Sequence, residues 1–366
     1  MTLGQKQKRS ALTVMEGITT PPSVSEDSVS KFKKISRRKP EVQEIADGIF
    51  KGNVSVLSRA ITLIESSLPS HRELAQKVIE KCLPASGNSM RIGITGVPGV
   101  GKSTFIEAVG NMVTATGSKL AVLAIDPSSE RSKGSILGDK TRMEKLAIND
   151  RAFIRPSPSS GSLGGVARKT RETVILCEAA GFNTIFIETV GVGQSEIAVH
   201  SMVDFFLLLL LPGSGDELQG IKRGIMEMAD SIAITKSDGS NILQSKQALA
   251  EFTAALHLFP PSNSGWIPKV FNCSAKENQG LVEVWNLIQD YIEMARKSGY
   301  LVKRRQEQAK YWMHETILNS ITAGFYGKKE IRDKVSELEE MLFRNKVTPF
   351  QAAQTLLDLY FSKSGK

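Results

Sequence analysis

The stretch Gly96-Val97-Pro98-Gly99-Val100-Gly101-Lys102-Ser103 matches the pattern G-x-x-x-x-G-K-S. It follows an apolar run at residues 92–95 and opens an amphipathic stretch at residues 103–116, which is the strand, loop and helix context that this pattern requires. Its glycines let backbone N–H groups turn inward around phosphate oxygens, and the helix start adds its positive dipole end. Lys102 is expected to meet the outer phosphates and Ser103 to ligate Mg²⁺ through its hydroxyl. The stretch therefore predicts a P-loop nucleotide site.

The sequence around this loop predicts an α/β fold. Between residues 89 and 298, short and almost continuously hydrophobic runs alternate with amphipathic stretches. Such runs are typical of strands that helices cover on both faces, so we expect the three-layer sandwich of P-loop NTPases, with a mainly parallel sheet. The predicted strands are residues 91–94, 120–125, 152–154, 184–187, 205–211, 231–234 and 270–273.

Residues 1–40 are predicted to be a flexible basic tail. The chain of 366 residues has a formal net charge of +9, and nine Lys or Arg against three Asp or Glu place +6 of it in this tail. A basic segment rich in Ser, Thr and Pro cannot bury enough apolar surface to order itself. Phe32 is the single aromatic residue of the basic run 31–39, too few for a base-stacking platform, so nucleic acid is not expected as a partner.

Helical regions are expected on both sides of the nucleotide domain, which we place at residues 89–298. Apolar residues recur at helical spacing within residues 41–88. Residues 299–366 contain three helical stretches and several aromatic residues without a complete core of their own, so we expect them to pack on the domain or on a second subunit. The charge run 303–305 is typical of a solvated helix face. The three stretches lie at residues 302–322, 328–343 and 348–361.

The cysteine spacing and the hydropathy pattern indicate the cellular compartment. Cys82, Cys177 and Cys273 are widely spaced and odd in number, which argues against a disulfide framework or a zinc site and favours a reducing compartment. The most apolar run, residues 205–211, is far shorter than the roughly 18 residues that cross a bilayer, so no membrane span is expected. We expect a cytoplasmic protein, or one of the mitochondrial matrix if the source is eukaryotic.

Two further stretches bear on the base of the nucleotide. Thr235-Lys236-Ser237-Asp238 follows one predicted strand, and Ser274-Ala275-Lys276 follows the next. A carboxylate at Asp238 accepts both the N1 and N2 hydrogens of guanine, a donor pair that adenine lacks, while the Lys236 stem lies along the base plane. The second stretch resembles the segment that supplies N–H groups to the guanine oxygen in GTPases. Together they favour guanine, with Thr104 at the α-phosphate.

Acidic residues at predicted strand ends indicate a metal and γ-phosphate site. Asp126 and Glu188 each end an apolar run, and carboxylates at the carboxyl ends of parallel strands point into the ligand crevice. Asp139 is a third candidate. Gln194 follows Glu188 in a glycine-containing loop, and we expect it to orient the attacking water, so that Lys102, Glu188 and Gln194 form the predicted catalytic group. Such a loop changes shape when the γ-phosphate leaves.

Five stretches, taken together and in order, resemble the MeaB/ArgK family, the GTPases associated with methylmalonyl-CoA mutase. The resemblance implies a metallochaperone-type GTPase that binds GTP or GDP with Mg²⁺ and forms a homodimer through its C-terminal helices. It also implies a role in gating adenosylcobalamin delivery to the mutase and in protecting that enzyme. The stretches are residues 96–104, 126–129, 135–143, 188–194 and 215–222.

The resemblance also assigns residues. It places Asp126, Asp139 and Glu188 with Ser103 at the metal and at the first two switch loops. It places Asp216, Gln219 and Lys222 in a third switch that relays the nucleotide state to the mutase; the pattern of that segment alone indicates an ordinary turn entering a helix.

Two positions depart from the family pattern. Thr235 stands where the family usually has Asn, so we expect the loss of a side-chain link between this loop and the P-loop. Lys133, directly before Gly134, stands where the family commonly has a pair of glycines, which changes the expected mobility of the first switch loop.

Two other functions share the P-loop. An ATP-dependent kinase of a lysine/arginine/ornithine transport system is the main alternative, and nucleotide competition separates it from a GTPase. A nickel-insertion GTPase usually carries a His-rich tract, whereas the four histidines here are dispersed, and none pairs with a cysteine at metal-ligand spacing.

Overall fold

The computed structural model describes residues 41–126, 143–158, 163–189, 195–213, 223–260 and 262–362. Within these residues, seven strands form one sheet in which every neighbouring pair is parallel. The strands are β1 Met90–Gly96, β2 Leu120–Asp126, β3 Ala152–Pro158, β4 Thr184–Thr189, β5 Phe205–Leu210, β6 Ser231–Ile234 and β7 Lys269–Asn272. Their order across the sheet is β3-β2-β4-β1-β5-β6-β7.

Helices precede, separate and follow the strands. Those before β1 are α1 Val42–Phe50, α2 Val54–Glu65 and α3 Pro69–Cys82. Those between strands are α4 Lys102–Ala115, α5 Glu144–Ala147, α6 Leu163–Ala179, α7 Ser195–His200, α8 Arg223–Met228 and α9 Ile242–Leu256. Those after β7 are α10 Leu281–Lys297, α11 Tyr300–Gly327, α12 Lys329–Phe343 and α13 Pro349–Ser362. Among the helices that the structure describes, none combines the length and apolar character that a bilayer crossing requires.

Apolar side chains cover both faces of the sheet. Along β2, Leu123 belongs to a buried core shared with α1, α2, α3, α6 and α7, whereas its neighbour Val122 belongs to a second core shared with α4 and α10. Successive residues of a strand point to opposite faces, so two helical layers enclose the sheet. The prediction of a three-layer α/β sandwich with a parallel sheet is confirmed.

The strand β3 is longer than the predicted run 152–154. Its ladder with β2 continues from Ala152 to Pro158, beyond the point where Arg155 ends the apolar pattern. Arg155 is accommodated because its guanidinium donates to both carboxylate oxygens of Glu65 and to the hydroxyl of Thr62, both on α2. A charged residue in a strand thus marks a tertiary ion pair, which hydrophobicity alone does not predict.

The predicted solvated face at residues 303–305 is wrong for two of the three side chains. Lys303 is exposed, but Arg305 donates to both carboxylate oxygens of Asp204, at 2.8 and 2.6 Å. Arg304 donates to the Tyr291 hydroxyl at 3.1 Å. These partners lie outside α11, so helical periodicity gave no sign of them.

The C-terminal helices pack on the nucleotide domain through the first half of α11. Trp312 is buried, and its indole N–H donates to the Ser201 carbonyl at 3.1 Å. In contrast, Phe343 and Phe350 are 88% and 87% exposed. One aromatic side chain therefore joins these helices to the domain, while others remain on the surface of the single chain.

Glu178 on α6 anchors the segment that leads into β1. Its carboxylate accepts hydrogen bonds from Gly87 N at 2.7 Å, Ser89 Oγ at 2.5 Å and Arg91 Nε at 2.9 Å. Burial by itself raises the pKa of this carboxyl, but the charge and hydrogen bonds of Arg91, together with Ser89 and Gly87, hold the pKa below its ordinary 4.5. The carboxylate therefore stabilises the folded chain in its charged form.

Replacing Glu178 by Gln is expected to lower the free energy of unfolding by about 3 kcal/mol at neutral pH, because Arg91 loses its buried partner. The folded-state pKa lies below the unfolded-state pKa, so this stabilisation is fully present above the unfolded value and is lost as the pH falls through the folded value. In urea unfolding, the stability difference between the two proteins should therefore shrink as the pH falls below the unfolded value and on through the folded value.

The control is Glu73→Gln, which breaks an ion pair with Lys77 whose side chains are 72% and 57% exposed. Its stability should stay within about 0.5 kcal/mol of the parent protein. A loss in Glu178→Gln that stays constant over the same pH range would contradict the explanation by charge.

Candidate nucleotide site

The phosphate loop lies between β1 and α4. β1 ends at Gly96 and α4 begins at Lys102, so the five residues between them form a turn at the carboxyl edge of the sheet. Gly101, at the cap of α4, has a φ of +95°, a backbone conformation that L side chains rarely adopt. A Cβ on Gly96 would lie 2.5 Å from the carbonyl oxygen of Leu209. Glycine is thus required at both ends of the turn.

The P-loop side chains are arranged around this turn. Lys102 is 8% exposed, and its ammonium donates to the carbonyls of Gly96 at 2.7 Å and Val97 at 3.2 Å. Val100 is fully buried beneath the loop, whereas Pro98, Gly99 and Thr104 are exposed. The lysine ammonium therefore lies against the carbonyls of a loop whose tip, Pro98 and Gly99, is exposed, and this arrangement suits an anion.

An acidic residue adjoins the first turn of α4. Ser103 Oγ donates to Glu188 Oε1 at 3.2 Å, and Glu188 is 3% exposed near the end of β4, which lies beside β1 in the sheet. A hydroxyl and a carboxylate are hard oxygen ligands, and their closeness fits Mg²⁺ bound either directly or through water. The sequence placed both residues at the metal, and the structure brings them together.

The loop after β6 contacts the phosphate loop directly. Lys236 Nζ donates to the Gly99 carbonyl at 2.8 Å, and Thr235 Oγ1 donates to the Val100 carbonyl at 2.7 Å. Lys236 has a φ of +53°, in the left-handed region that residues other than glycine rarely enter. The two loops leave strands that are separated by β5, yet their side chains join them at the same edge of the sheet.

The expectation for Thr235 is therefore wrong. Because Thr235 stands where the family usually has Asn, the sequence predicted that the side-chain link to the P-loop is lost. Instead, the threonine hydroxyl lies within hydrogen-bonding distance of both Val100 O and Leu210 O, at 2.7 and 3.2 Å. Threonine retains the link because residue 235 is buried close to the P-loop backbone, so that its short hydroxyl reaches the Val100 carbonyl.

The predicted base-reading residues form a second hydrogen-bonded group. Asp238 Oδ2 accepts a hydrogen bond from Ser274 Oγ, and Ser237 N donates to Cys273 O at 3.1 Å. Ser274 Oγ also accepts from Glu277 N at 3.1 Å. The loop after β6 is thus tied to the loop after β7, and the Asp238 carboxylate has a fixed neighbour. Ala275 is half-buried and Lys276 is exposed.

Several predicted residues lie outside what the structure describes. Asp126 ends β2, but its side chain is not among the described parts. Asp139 and Gln194 belong to undescribed segments, as does Lys133. The three predicted switch residues are likewise outside the described ranges, namely Asp216, Gln219 and Lys222. Their roles stay predictions.

The described residues contain no group of three or more His, Cys, Asp or Glu side chains placed to hold a metal ion. The three cysteines are free thiols buried in the protein. Burial raises the pKa of the Cys82 thiol to about 11 and that of Cys273 to about 12, so both stay protonated at neutral pH. In this part of the chain, therefore, the oxygen pair of Ser103 and Glu188 is the arrangement that suits a cation.

One contact at the site was missed from the sequence. Thr95 and Thr189 share a hydrogen bond of 2.9 Å between their hydroxyls, and both residues are buried. It joins the ends of β1 and β4, directly beside Gly96 and Glu188. A β-branched residue in a strand is ordinary, so the sequence carried no signal; only the pairing of the two strands brings the hydroxyls together.

Comparison with known proteins identifies the family. Residues 57–330 match the family model described as methylmalonyl Co-A mutase-associated GTPase MeaB. The chain belongs to this family. The resemblance seen in five short stretches of sequence is confirmed, and it extends over most of the chain.

Individual proteins are also similar to this chain over most of its length. A probable GTPase of Mycobacterium tuberculosis is 48% identical over 318 residues, covering 87% of this chain and 95% of that protein. The mitochondrial methylmalonic aciduria type A homolog of Mus musculus is 45% identical over 332 residues, covering 88% and 80%. The crystal structure of a LAO/AO transport system kinase is similar at a TM-score of 0.71 and 34% identity, covering 87% and 97%.

Replacing Thr235 by Val is expected to weaken binding of guanine nucleotides by about three- to tenfold, the equivalent of one buried hydrogen bond. The Val100 carbonyl loses its donor, and the spacing between the two loops is no longer fixed. Titration with fluorescent GDP measures the change. Thr253→Val is the control, because Thr253 is exposed on α9 and its hydroxyl bonds only within that helix. Unchanged affinity in Thr235→Val would contradict the link.

Proposed function

We propose that this chain binds GTP and hydrolyses it to GDP and phosphate, and that its nucleotide state controls a cobalamin-dependent acyl-CoA mutase. One observation carries the first part. The loop that holds Asp238 is hydrogen-bonded to the phosphate loop through Thr235 and Lys236, so a guanine reader and a phosphate cradle address one molecule. Family membership supports a guanine nucleotide at this site.

Hydrolysis in this proposal rests on positioning and electrostatics. Lys102 turns from the carbonyls of its own loop toward the β- and γ-phosphates and offsets the charge that develops as water attacks. Ser103, Asp126, Asp139 and Glu188 hold Mg²⁺ directly or through water; that ion supplies further charge neutralisation when bound. Gln194 orients the water. Apart from Lys102, Ser103 and Glu188, these assignments rest on the family pattern.

Base selection rests on Asp238. Its carboxylate accepts the two guanine hydrogens with one oxygen already hydrogen-bonded to Ser274, which holds the side chain in a single orientation. Lys236 extends from the base loop to Gly99 and lies along the base. Of the segment 274–276, Ala275 and Lys276 supply the N–H groups for the guanine oxygen, while the N–H of Ser274 donates to the Gln279 carbonyl at 2.9 Å.

The partner is proposed to be methylmalonyl-CoA mutase or a related cobalamin-dependent mutase. The family name and the mouse relative, named for methylmalonic aciduria, support this class. In the proposal, Asp216, Gln219 and Lys222 relay the nucleotide state, GTP hydrolysis gates adenosylcobalamin delivery, and the complex protects the mutase from inactivation. The place of action is the cytoplasm, or the mitochondrial matrix in a eukaryotic source.

A homodimer through residues 299–366 belongs to the same proposal. Ile317, Leu318 and Ile321 are 47%, 59% and 58% exposed on α11, and Phe350 on α13 is 87% exposed. Apolar residues in such number on neighbouring helices support burial against a second chain. The alternative, an ATP-dependent kinase, is favoured only by the name of the similar crystal structure.

Replacing Asp238 by Asn should move the base preference toward xanthine. The amide NH₂ group donates a hydrogen bond where guanine also donates, whereas xanthine has a carbonyl acceptor at that position. The ratio of affinity for GTP over XTP should fall by at least about a hundredfold, in line with losses at sites that leave a polar group unpaired. Asp290→Asn, at an exposed position of α10, is the control. Unchanged selectivity in Asp238→Asn, or equal competition by ATP and GTP in the parent chain, would disprove the guanine assignment.

GTP turnover should be slow for the chain alone and should rise when a methylmalonyl-CoA mutase is added. Lys102→Ala serves as the hydrolysis control and should lose most of the turnover under both conditions, because the developing negative charge loses its cation. Phosphate release gives the rate. The same rate with and without any mutase would contradict the coupling, and retention of more than about half of the activity in Lys102→Ala would contradict its role.

A further inference from the structure

The helix α11 holds the end of α7 through one continuous face. Arg304 Nη2 donates to His200 Nε2 at 3.3 Å, and Gln308 Nε2 donates to the Val203 carbonyl at 2.8 Å. Residues 304, 308 and 312 recur every four positions and so share a face of the helix. With Arg305 on Asp204 and Trp312 on Ser201, four side chains of α11 bind four of the five residues 200–204.

Residues 200–204, which α11 contacts, and the helix α7 before them follow the predicted nucleotide switch in the sequence. α7 begins at Ser195, directly after residues 191–194, which follow Glu188 and carry the predicted water-orienting Gln194. Glu188 in turn accepts the hydrogen bond from Ser103 of the P-loop. A short helix of six residues is thus the connection between the γ-phosphate side of the site and the residues that α11 binds.

The end of α7 also packs on β1 without spare room. A Cβ added to Gly93 would lie 2.9 Å from Val199 Cγ1, closer than real Cβ contacts come, and 3.1 Å from Val203 Cγ2, which is tighter than most such contacts. Both valines are fully buried. Since close-packed elements transmit displacement rather than absorb it, movement of α7 is passed to the elements packed against it, which are α6 and β4 and, through residues 200–204, α11; α6 itself packs on α11.

The polar contacts of this joint do not depend on charge at His200. Burial, and then the charge of Arg304, lower the pKa of His200 to about 4, so the imidazole is neutral near pH 7. Its Nε2 therefore accepts the hydrogen bond from the guanidinium, which has only donors. The ring also packs edge-on against Phe206, with centroids 5.5 Å apart.

The far half of α11 carries part of the apolar surface that the proposed homodimer would bury. The helix has 28 residues and is about 42 Å long. Its first half is fixed by the contacts above and by Arg171, which donates to the Gln308 carbonyl at 3.0 Å. Its second half presents exposed apolar residues and leads into α12 and α13.

We propose that α11 is the element that carries the nucleotide state from α7 to the C-terminal helical surface, residues 313–362. The joint is formed by Arg304, Arg305, Gln308 and Trp312 on residues 200–204. A displacement of α7 between the GTP and GDP states changes the position of α11 and so changes that surface. By thermodynamic linkage, a partner bound at residues 313–362 alters nucleotide affinity by the same factor. This inference rests on the nucleotide binding proposed above.

The test is hydrogen exchange of the full-length chain with GDP and with a non-hydrolysable GTP analogue. In the parent protein, exchange in residues 313–327 should differ between the two nucleotides on the order of fivefold, a typical lower value for allosteric coupling. The P-loop, residues 96–104, should change as well and reports binding independently.

Two variants remove single donors from the joint, one at nearly constant side-chain volume and one that keeps an aromatic ring at the position. Gln308→Met removes the bond to Val203, and Trp312→Phe removes the bond to Ser201. In each, the nucleotide-dependent difference in residues 313–327 should fall below about twofold while the response of the P-loop persists. Gln306→Met is the matched control, since Gln306 is exposed on the same helix, and it should behave as the parent protein.

The outcomes separate the two proposals. A P-loop response without any response in residues 313–327 of the parent protein would overturn the coupling and leave the GTPase proposal intact. An undiminished difference in both Gln308→Met and Trp312→Phe would show that the joint is only structural and would also overturn it. No response at the P-loop would overturn nucleotide binding itself, and the coupling with it.

Discussion

The hydrogen bond from Thr235 to the Val100 carbonyl, with that from Lys236 to Gly99, is the constraint on which the site depends. Sheet order alone leaves the two loops one strand apart, because β5 lies between β1 and β6. The phosphate loop is a glycine-containing turn, and a cradle for one nucleotide needs a fixed spacing between its phosphate and base ends. The side chains of the base loop supply that spacing by bonding to the backbone of the phosphate loop.

Similar polar contacts join further strand ends on both sides of these two loops. Ser274 fixes Asp238 on one side of the bound loops, and Thr189 fixes the end of β4 to β1 on the other. Each contact joins the end of one parallel strand to a neighbour at the carboxyl edge, where ligands bind in such sheets. The site is therefore a row of strand ends joined by short polar side chains, and its shape follows from the register of the strands.

At the opposite edge of the sheet, buried charged side chains attach α11. There Arg305 bonds to Asp204, which also accepts from Arg91 N, and Arg304 lies 3.7 Å from Asp230. Burial raises the pKa of Asp230 to about 6, although Arg304 opposes that rise. Charges placed in so dry a cluster are costly when separated, so α11 is held firmly to the sheet. In the proposed coupling, this firm attachment is what would let α11 respond to movement near the nucleotide.

The sequence by itself determined the layered fold, the P-loop and the family. Continuous apolar runs are typical of strands buried on both faces, and the G-x-x-x-x-G-K-S stretch has its strand and helix beside it, so local pattern sufficed. Ser103 was placed at the metal because it closes the P-loop motif, and Glu188 because it ends an apolar run. These features depend on neighbours in the chain, which is what periodicity and motif spacing record.

Only the tertiary structure decided how the parts are joined. The link from Thr235 to Val100 spans 135 residues, and the ion pair of Arg305 with Asp204 spans 101 residues. From the sequence, the first was expected to be absent and the arginine to be solvated, since a hydroxyl in a loop and a charge on a helix have no intrinsic preference for a distant partner. Such contacts follow from strand order and helix packing, and these are set by the burial of the whole apolar surface rather than by any local stretch.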